Sequence, residues 1–196
     1  MTDGAIVLCG GFSRRMGRDK ASLPFGAETL LERTVRVVRE AVDEVVLVAR
    51  EGQEVPAGLA PVARDPARGL GPLAGIAAGL RALRAERAFV TACDAPFLKA
   101  AFVRRLLELA NGWDVAVPVL NGFHMTAAAV YAASVAPLAE RLVREGRLRP
   151  LFLVQSVNAR LVRPEELRDV DPDLESFRGC NTADEYRAAL REAGLA

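Results

Sequence analysis

The stretch from Ile6 to Lys20, IVLCGGFSRRMGRDK, constrains this chain more than any other. An apolar run ends in Gly10-Gly11, and three arginines and one lysine follow inside the next ten residues. The run fits a buried parallel strand, and the diglycine lets the backbone turn tightly with its N–H groups exposed. Exposed amides together with Arg14, Arg15, Arg18 and Lys20 make an anion cradle suited to a polyphosphate. The bland alternative is a solvated basic turn. Such dense positive charge directly behind a diglycine favours the anion site. The chain has only one other lysine, Lys99, so an arginine-rich sequence has placed a lysine here against its own habit. The loop is not a Walker A motif, because Lys20 follows Asp19 and precedes Ala21. It contains no GxGxxG, which removes the main support for a nicotinamide or flavin cofactor.

Strands and helices alternate through the first two-thirds of the chain, the pattern of a parallel sheet covered on both faces. Strands are predicted at Ala5–Cys9, Val45–Ala49, Ala60–Ala63 and Ala88–Ala92. A helix starts near Thr29, which has capping-box spacing to Glu32, and Pro72 opens another at its first position. A third helix is predicted over 100–110. Asp114–Pro118 and Thr126–Tyr131 read as strands flanking Asn121-Gly122, a strong hairpin turn signal. Helices near 134–145 and 150–156, a strand at 159–163 and a helix behind Thr182 and Glu185 complete the pattern. The expected fold is a three-layer, doubly wound, mostly parallel α/β sheet with a late β-hairpin, with residues 1–196 as one domain.

A net charge of +1 speaks against bulk nucleic-acid binding. No apolar segment approaches the roughly 20 residues of a membrane span, so no membrane partner is expected. The four residues Met1 to Gly4 leave no room for a signal peptide, so the expected location is cytoplasmic. Three cysteines, Cys9, Cys93 and Cys180, form an odd set without metal-type spacing, which suits a reducing compartment.

Ligands of doubly wound sheets sit beyond the carboxyl ends of the strands. The basic loop, Asp65 and Asp94 all fall at such ends. Asp94, facing a phosphate cradle, is well placed to hold Mg²⁺; its alternative role is to cap the next turn. Gly71 and Pro72 suit a tight entry to a helix whose N-terminus could face a base or phosphate. Gly75 and Gly79, one turn apart, suit close helix–sheet packing. His124, the only histidine, is kept as a substrate contact, with a structural role as its alternative.

LCGGFSRRMGRDK resembles the L-A-G-G-x-S-x-R-M-G-x-D-K signature of molybdenum cofactor guanylyltransferases, within the wider nucleotidyltransferases of the Rossmann-like α/β fold. The resemblance continues in order through GPLAGI at 71–76, CDAP at 93–96 and NTADEY at 181–186. It implies transfer of GMP from GTP to the phosphate of molybdopterin, forming the guanine dinucleotide and releasing pyrophosphate, with Mg²⁺ as cofactor. It implies that Leu8, Cys9, Gly10, Gly11, Lys20, Asp65, Gly71 and Asp94 bind nucleotide, and that Asp94 ligates the metal. Arg15, Lys20 and Asp94 become the catalytic set, while Asn181 and His124 face the pterin substrate. Transient protein partners in cofactor delivery are also implied. The chain departs from the pattern at Cys9 for Ala, at Ala49-Arg50 where Asn is usual, and at Gly179 where a second Asn is usual. His124-Met125-Thr126 stands for H-P-T. Two alternatives remain: a cytidylyl- or sugar-phosphate nucleotidyltransferase of the same fold, and a non-catalytic nucleotide-binding regulatory protein.

Overall fold

The computed structural model of the protein describes residues 2–9, 19–65 and 71–195. Its elements run β1 (Asp3–Leu8), β2 (Pro24–Phe25), β3 (Glu28–Thr29), α1 (Leu30–Arg39), β4 (Glu44–Arg50), β5 (Val62–Asp65), α2 (Gly71–Ala82) and β6 (Arg87–Ala92). They continue with α3 (Ala100–Leu109), β7 (Val115–Leu120), β8 (Phe123–His124), β9 (Ala128–Ala132), α4 (Ala136–Arg144), α5 (Pro150–Val154), β10 (Ala159–Val162) and α6 (Ala183–Glu192). Among the described residues the main sheet has the order β10-β7-β9-β6-β1-β4-β5, with β8 paired to β7.

β1 lies inside the sheet, parallel to β4 on one side and to β6 on the other. Both its faces are covered, which is why Ala5, Ile6 and Val7 can be consecutive apolar residues with no exposure at all. On one face Ala5, Val7, Leu47 and Phe89 pack against Leu31, Val35 and Val38 of α1 and Phe102 and Leu106 of α3. On the other, Ile6, Val46, Val48 and Val90 meet Leu73, Ile76 and Leu80 of α2, with Ala139 and Leu142 of α4. This is the expected three-layer α/β arrangement. β9 and β8 are the exceptions in direction, β9 running antiparallel to both β6 and β7 and β8 antiparallel to β7.

The sequence signals are realised where the chemistry is local. Thr29 with Glu32 and Thr182 with Glu185 both form capping boxes. Asn121 (φ 51°) and Gly122 (φ 80°) both take the left-handed region of the tight turn that pairs β7 with β8. Three boundaries need correction. The strand predicted at Thr126–Tyr131 is β9, Ala128–Ala132, and the turn leads first into β8. The third strand is Val62–Asp65, so Asp65 ends it and does not follow it; the run sits at the sheet edge, where partial exposure blurs the apolar pattern. Pro72 is the second residue of α2, which begins at Gly71. A Cβ on Gly79 would come within 2.6 Å of Ile6 Cγ2, and one on Gly75 within 3.2 Å of Leu8 Cδ2. These glycines therefore let α2 lie directly on β1. The hairpin β2–β3 carries no period that the sequence could reveal, since each strand has two residues.

Candidate active site

The parallel pairing of β1 and β6 extends one step past the strands, with Cys93 N–H donating to the Leu8 carbonyl at 3.2 Å. The chain emerging from each strand therefore starts at the same height. Lys20 opens a short 3-10 turn, Lys20–Ser22, whose N-terminus is capped by Asp19: Oδ1 accepts from the Ala21 N–H at 3.1 Å. Asp94 sits two residues beyond β6. The Lys20 ammonium meets Asp94 Oδ2 at 2.5 Å and donates to Asn181 Oδ1 at 3.0 Å. The Lys20 and Asp94 side chains are only 15% and 13% exposed, so this ion pair is well shielded from water.

Asn181 reaches the pair because the chain before α6 returns to the end of β6. Cys180 N–H donates to the Asp94 carbonyl at 2.9 Å, and Glu185 accepts from the backbone of Asn181 at 2.6 Å and of Thr182 at 3.0 Å. A small satellite core of Leu23, Phe25, Leu30, Cys180 and Ala189 binds the segment after Lys20 to the segment carrying Asn181. The Tyr186 hydroxyl adds a hydrogen bond to the Pro24 carbonyl. On the other side, the Arg33 guanidinium donates to the Pro96 carbonyl at 2.6 Å and Thr34 Oγ1 to the Cys93 carbonyl at 3.3 Å, tying α1 to the turn that holds Asp94.

These elements enclose a cavity of about 440 Å³ whose lining includes Lys20, Asp94, His124, Phe177, Gly179 and Asn181. Four residues singled out by sequence thus share one cavity. His124 arrives there because β8 pairs with the end of β7, setting it opposite Val119. Leu8 lies at the strand end beside this site, and Cys9 continues it by donating its N–H to Val48 at 2.8 Å. Asp65 and Gly71 are not in the cavity. Asp65 stands on the far side of β1, across β4, in register with Arg50, and Gly71 opens α2 beside the Leu148 backbone. Gly10, Gly11, Arg14, Arg15 and Arg18 lie outside the described residues.

Two supporting residues are invisible to sequence reasoning. Gln53, in a run of charged and glycine residues, is buried against the Cys9 carbonyl and Asp19. Asp171 has no exposure and accepts from Lys99 Nζ at 2.8 Å and from the Ser176 N–H at 2.9 Å. Burial works to raise the Asp171 pKa, but these hydrogen bonds outweigh it and hold the carboxyl below its ordinary value. The network pins the stretch that leads to Gly179 and Asn181. Neither residue stands in a motif; only contacts distant in sequence reveal them.

Cysteine chemistry has no support in the geometry. Burial pushes the Cys9 thiol up to about 12 and raises Cys93 and Cys180 as well, so all three stay neutral near pH 7. For a cation, the donor set is one carboxylate: among the described residues no three His, Cys, Asp or Glu side chains gather into a metal-binding group. That fits Mg²⁺, which keeps several waters and uses one or two carboxylates plus substrate phosphates, and it does not fit an all-protein cage. Asp94 Oδ1 faces Gly179, where a Cβ would sit 3.7 Å away in ordinary contact, so no side chain crowds that oxygen from this residue.

A doubly wound sheet with a lysine and a carboxylate meeting at its carboxyl edge suits the phosphate chemistry of a nucleotidyltransferase. The chain matches the MobA-like NTP transferase domain over residues 5–160 and belongs to that family. It is 36% identical over 208 residues to a protein of Methanosarcina mazei named "Probable molybdenum cofactor guanylyltransferase", covering 96% of this chain and 90% of that one. It is 34% identical over 186 residues to the molybdenum cofactor guanylyltransferase of Desulfosudis oleivorans, covering 94% and 92%. Among solved structures, molybdopterin-guanine dinucleotide biosynthesis protein A from Archaeoglobus fulgidus superposes with a TM-score of 0.83 at 27% identity, over 98% of this chain and 100% of that one. No helix among the described residues is long and apolar enough to cross a membrane.

Proposed function

We propose that the chain is one nucleotidyltransferase domain that transfers GMP from GTP to the phosphate of a molybdopterin-type acceptor, yielding the guanine dinucleotide and pyrophosphate. The observation that carries this reading is the convergence of Lys20, Asp94 and Asn181 in one cavity at the carboxyl ends of β1 and β6. The names of the relatives supply the nucleotide and the acceptor.

In this reading an acceptor phosphate oxygen attacks the α-phosphorus of GTP in line. The bond from the α-phosphorus to the bridging oxygen breaks, and the electron pair leaves with pyrophosphate. No protein base is required, because the attacking group is already ionised. The chain's task is positioning and charge stabilisation. Lys20, with Arg15, balances the charge gathering on pyrophosphate. Leu8, Cys9, Gly10 and Gly11 present backbone to the nucleotide, Asp65 meets its nucleoside end, and Gly71 its base or phosphates. Asn181 and His124 orient the acceptor. Asp94 would hold Mg²⁺, which when bound neutralises charge on the reacting phosphates. The reading also takes the cytoplasm as its compartment, which three free, buried cysteines suit, and transient partners for cofactor delivery.

The test is pyrophosphate release from GTP, CTP and ATP, each with and without the pterin acceptor. Acceptor-dependent release with GTP alone is expected. Equal release with CTP would remove the guanylyl assignment, and nucleotide binding without release would leave a regulatory protein.

A further inference from the structure

Gln53 follows β4 in the run Glu51-Gly52-Gln53-Glu54, which has the composition of a solvated loop. Its neighbours are exposed, yet Gln53 itself is only 8% exposed. A buried amide must find partners, and this one finds three. Nε2 donates to the Cys9 carbonyl at 3.0 Å and to Asp19 Oδ2 at 2.7 Å. Oε1 accepts from the Arg50 N–H at 3.2 Å. Two acceptors on one side and a backbone donor on the other fix which end of the amide is nitrogen. Its backbone is held too, since Arg64 Nη1 donates to the Gln53 carbonyl at 2.8 Å and to the Arg50 carbonyl at 3.0 Å.

The two acceptors are not equivalent points. Cys9 is the first residue beyond β1, and Asp19 is the cap that sets the turn beginning at Lys20. One amide therefore ties the strand end to the residue that aims the lysine. A well-packed apolar side chain would fill the same space without specifying this distance, whereas a satisfied buried polar group fixes a geometry. We propose that Gln53 is a positioning residue for nucleotide binding: by holding Asp19 to the Cys9 carbonyl, it sets Lys20 where its ammonium meets the phosphates. This rests on the reading that Lys20 binds those phosphates.

The experiment compares GTP affinity by calorimetry, with Mg²⁺, and melting temperature in the wild type, Gln53→Glu, Asp19→Asn/Gln53→Glu and Lys20→Ala. Gln53→Glu keeps the length and the acceptor for Arg50 N–H, but turns a carboxylate toward the Asp19 carboxylate and the Cys9 carbonyl. The charged groups around it are Asp19, Arg50, Arg64, Glu51 and Glu54; the Cys9 thiol is neutral. Affinity at pH 8 should fall roughly tenfold, the worth of one hydrogen bond to a charged group. It should recover as pH is lowered and the new carboxyl, disfavoured as an anion beside Asp19, takes a proton and donates again. Asp19→Asn added to Gln53→Glu reverses donor and acceptor between 19 and 53 while the Cys9 carbonyl still lacks its donor, and should restore part of the affinity. Should Gln53→Glu not fold, Gln53→Met, uncharged and of similar length, should show the same affinity loss without the pH recovery. Wild-type affinity in the Gln53 variant beside weak binding in Lys20→Ala would overturn the proposal and leave the function standing. In Gln53→Glu, a loss with neither pH recovery nor rescue by Asn at 19 would reduce Gln53 to a packing role. Unchanged binding in Lys20→Ala would overturn the phosphate role of Lys20 and this proposal with it.

Discussion

Lys20 rests on Asp94, the one carboxylate that the described residues offer a cation in the cavity, so Lys20→Met should free that carboxylate for a metal ion. At 2.5 Å and an effective dielectric of about 20, the attraction between the Lys20 ammonium and Asp94 is on the order of 7 kcal/mol. Desolvating two groups that are only 15% and 13% exposed offsets most of it, leaving a net value of about 2 kcal/mol. A divalent cation approaching the nucleotide-free protein must displace the ammonium and overcome that amount. Lys20→Met keeps the side-chain length, removes the competitor and leaves the carboxylate unpaired. Mn²⁺ should then bind the nucleotide-free variant about thirtyfold more tightly than the wild type, since 1.36 kcal/mol is a factor of ten. Manganese titration followed by electron paramagnetic resonance reads this directly, with no turnover required. A second readout comes from melting: the variant should be less stable than the wild type without metal and should regain stability as Mn²⁺ is added, by mass action. Lys20→Met/Asp94→Asn should lose the tight binding. If Lys20→Met binds Mn²⁺ no better than the wild type, the ammonium does not guard the metal position and the reasoning fails.

Asp94→Asn should lower pyrophosphate release a hundredfold or more, the usual scale for losing one transition-state charge contact, while Lys20 keeps its bond to Asn181 and the melting temperature moves only a few degrees. Near-normal turnover in that variant would end the metal role of Asp94. Asn181→Ala should raise the acceptor KM more than the GTP Kd; a variant that only melts earlier would make Asn181 a structural neighbour of the Thr182 cap. Asp171→Asn breaks a bond between a fully buried carboxylate and the half-exposed Lys99, and should cost about 2 kcal/mol, or roughly 4–8 °C for a domain of this size. Because the folded Asp171 pKa lies below its unfolded value, its contribution is complete above about pH 4 and disappears as pH falls through the folded pKa. Denaturant titrations of the wild type should therefore lose stability steeply below about pH 4, and Asp171→Asn should flatten that slope. Gly79→Ala would place a Cβ 2.6 Å from Ile6 Cγ2, and the overpacking should cost about 1–3 kcal/mol by urea unfolding.

What the sequence disclosed depended on how local the physics was. Thr29 and Thr182 could be read as helix caps because their partners Glu32 and Glu185 lie three residues away. Asn121-Gly122 could be read as a turn because both residues tolerate positive φ. Asp94 was visible because a polar residue directly behind an apolar strand lands at the sheet's carboxyl edge wherever that strand pairs, and Lys20 because it stands, as one of two lysines, in the dense basic run behind the diglycine. Strand order was not visible. The Asn121-Gly122 turn signal announced that β9 runs antiparallel to β7, but nothing in AAVYA announces that its other edge pairs antiparallel with β6, where Val130 sits in register with the sequence-distant Phe89. Gln53 and Asp171 stayed hidden for a related reason. A glutamine between Gly52 and Glu54 looks solvated until Cys9 and Asp19 close over it, and Asp171 looks like one of several surface acids until Lys99 and Ser176 surround it.

The same nonlocality explains how the cavity is held together. Lys20 is 74 residues from Asp94 and 161 from Asn181, yet one ammonium serves both acceptors. Asp94 belongs to the end of β6 and Asn181 to the stretch that runs into α6, so the lysine bridges two segments that the sheet does not join. In the nucleotide-free protein that bridge takes up both acceptor oxygens. If the phosphates draw Lys20 away, Asp94 Oδ2 and Asn181 Oδ1 are released by the same movement, one toward a cation and the other toward the acceptor. Binding of nucleotide would then prepare the acceptor side of the cavity without any displacement of the sheet. The satellite core around Phe25, Leu30 and Cys180 and the buried Asp171 network hold these segments by contacts that do not involve the lysine.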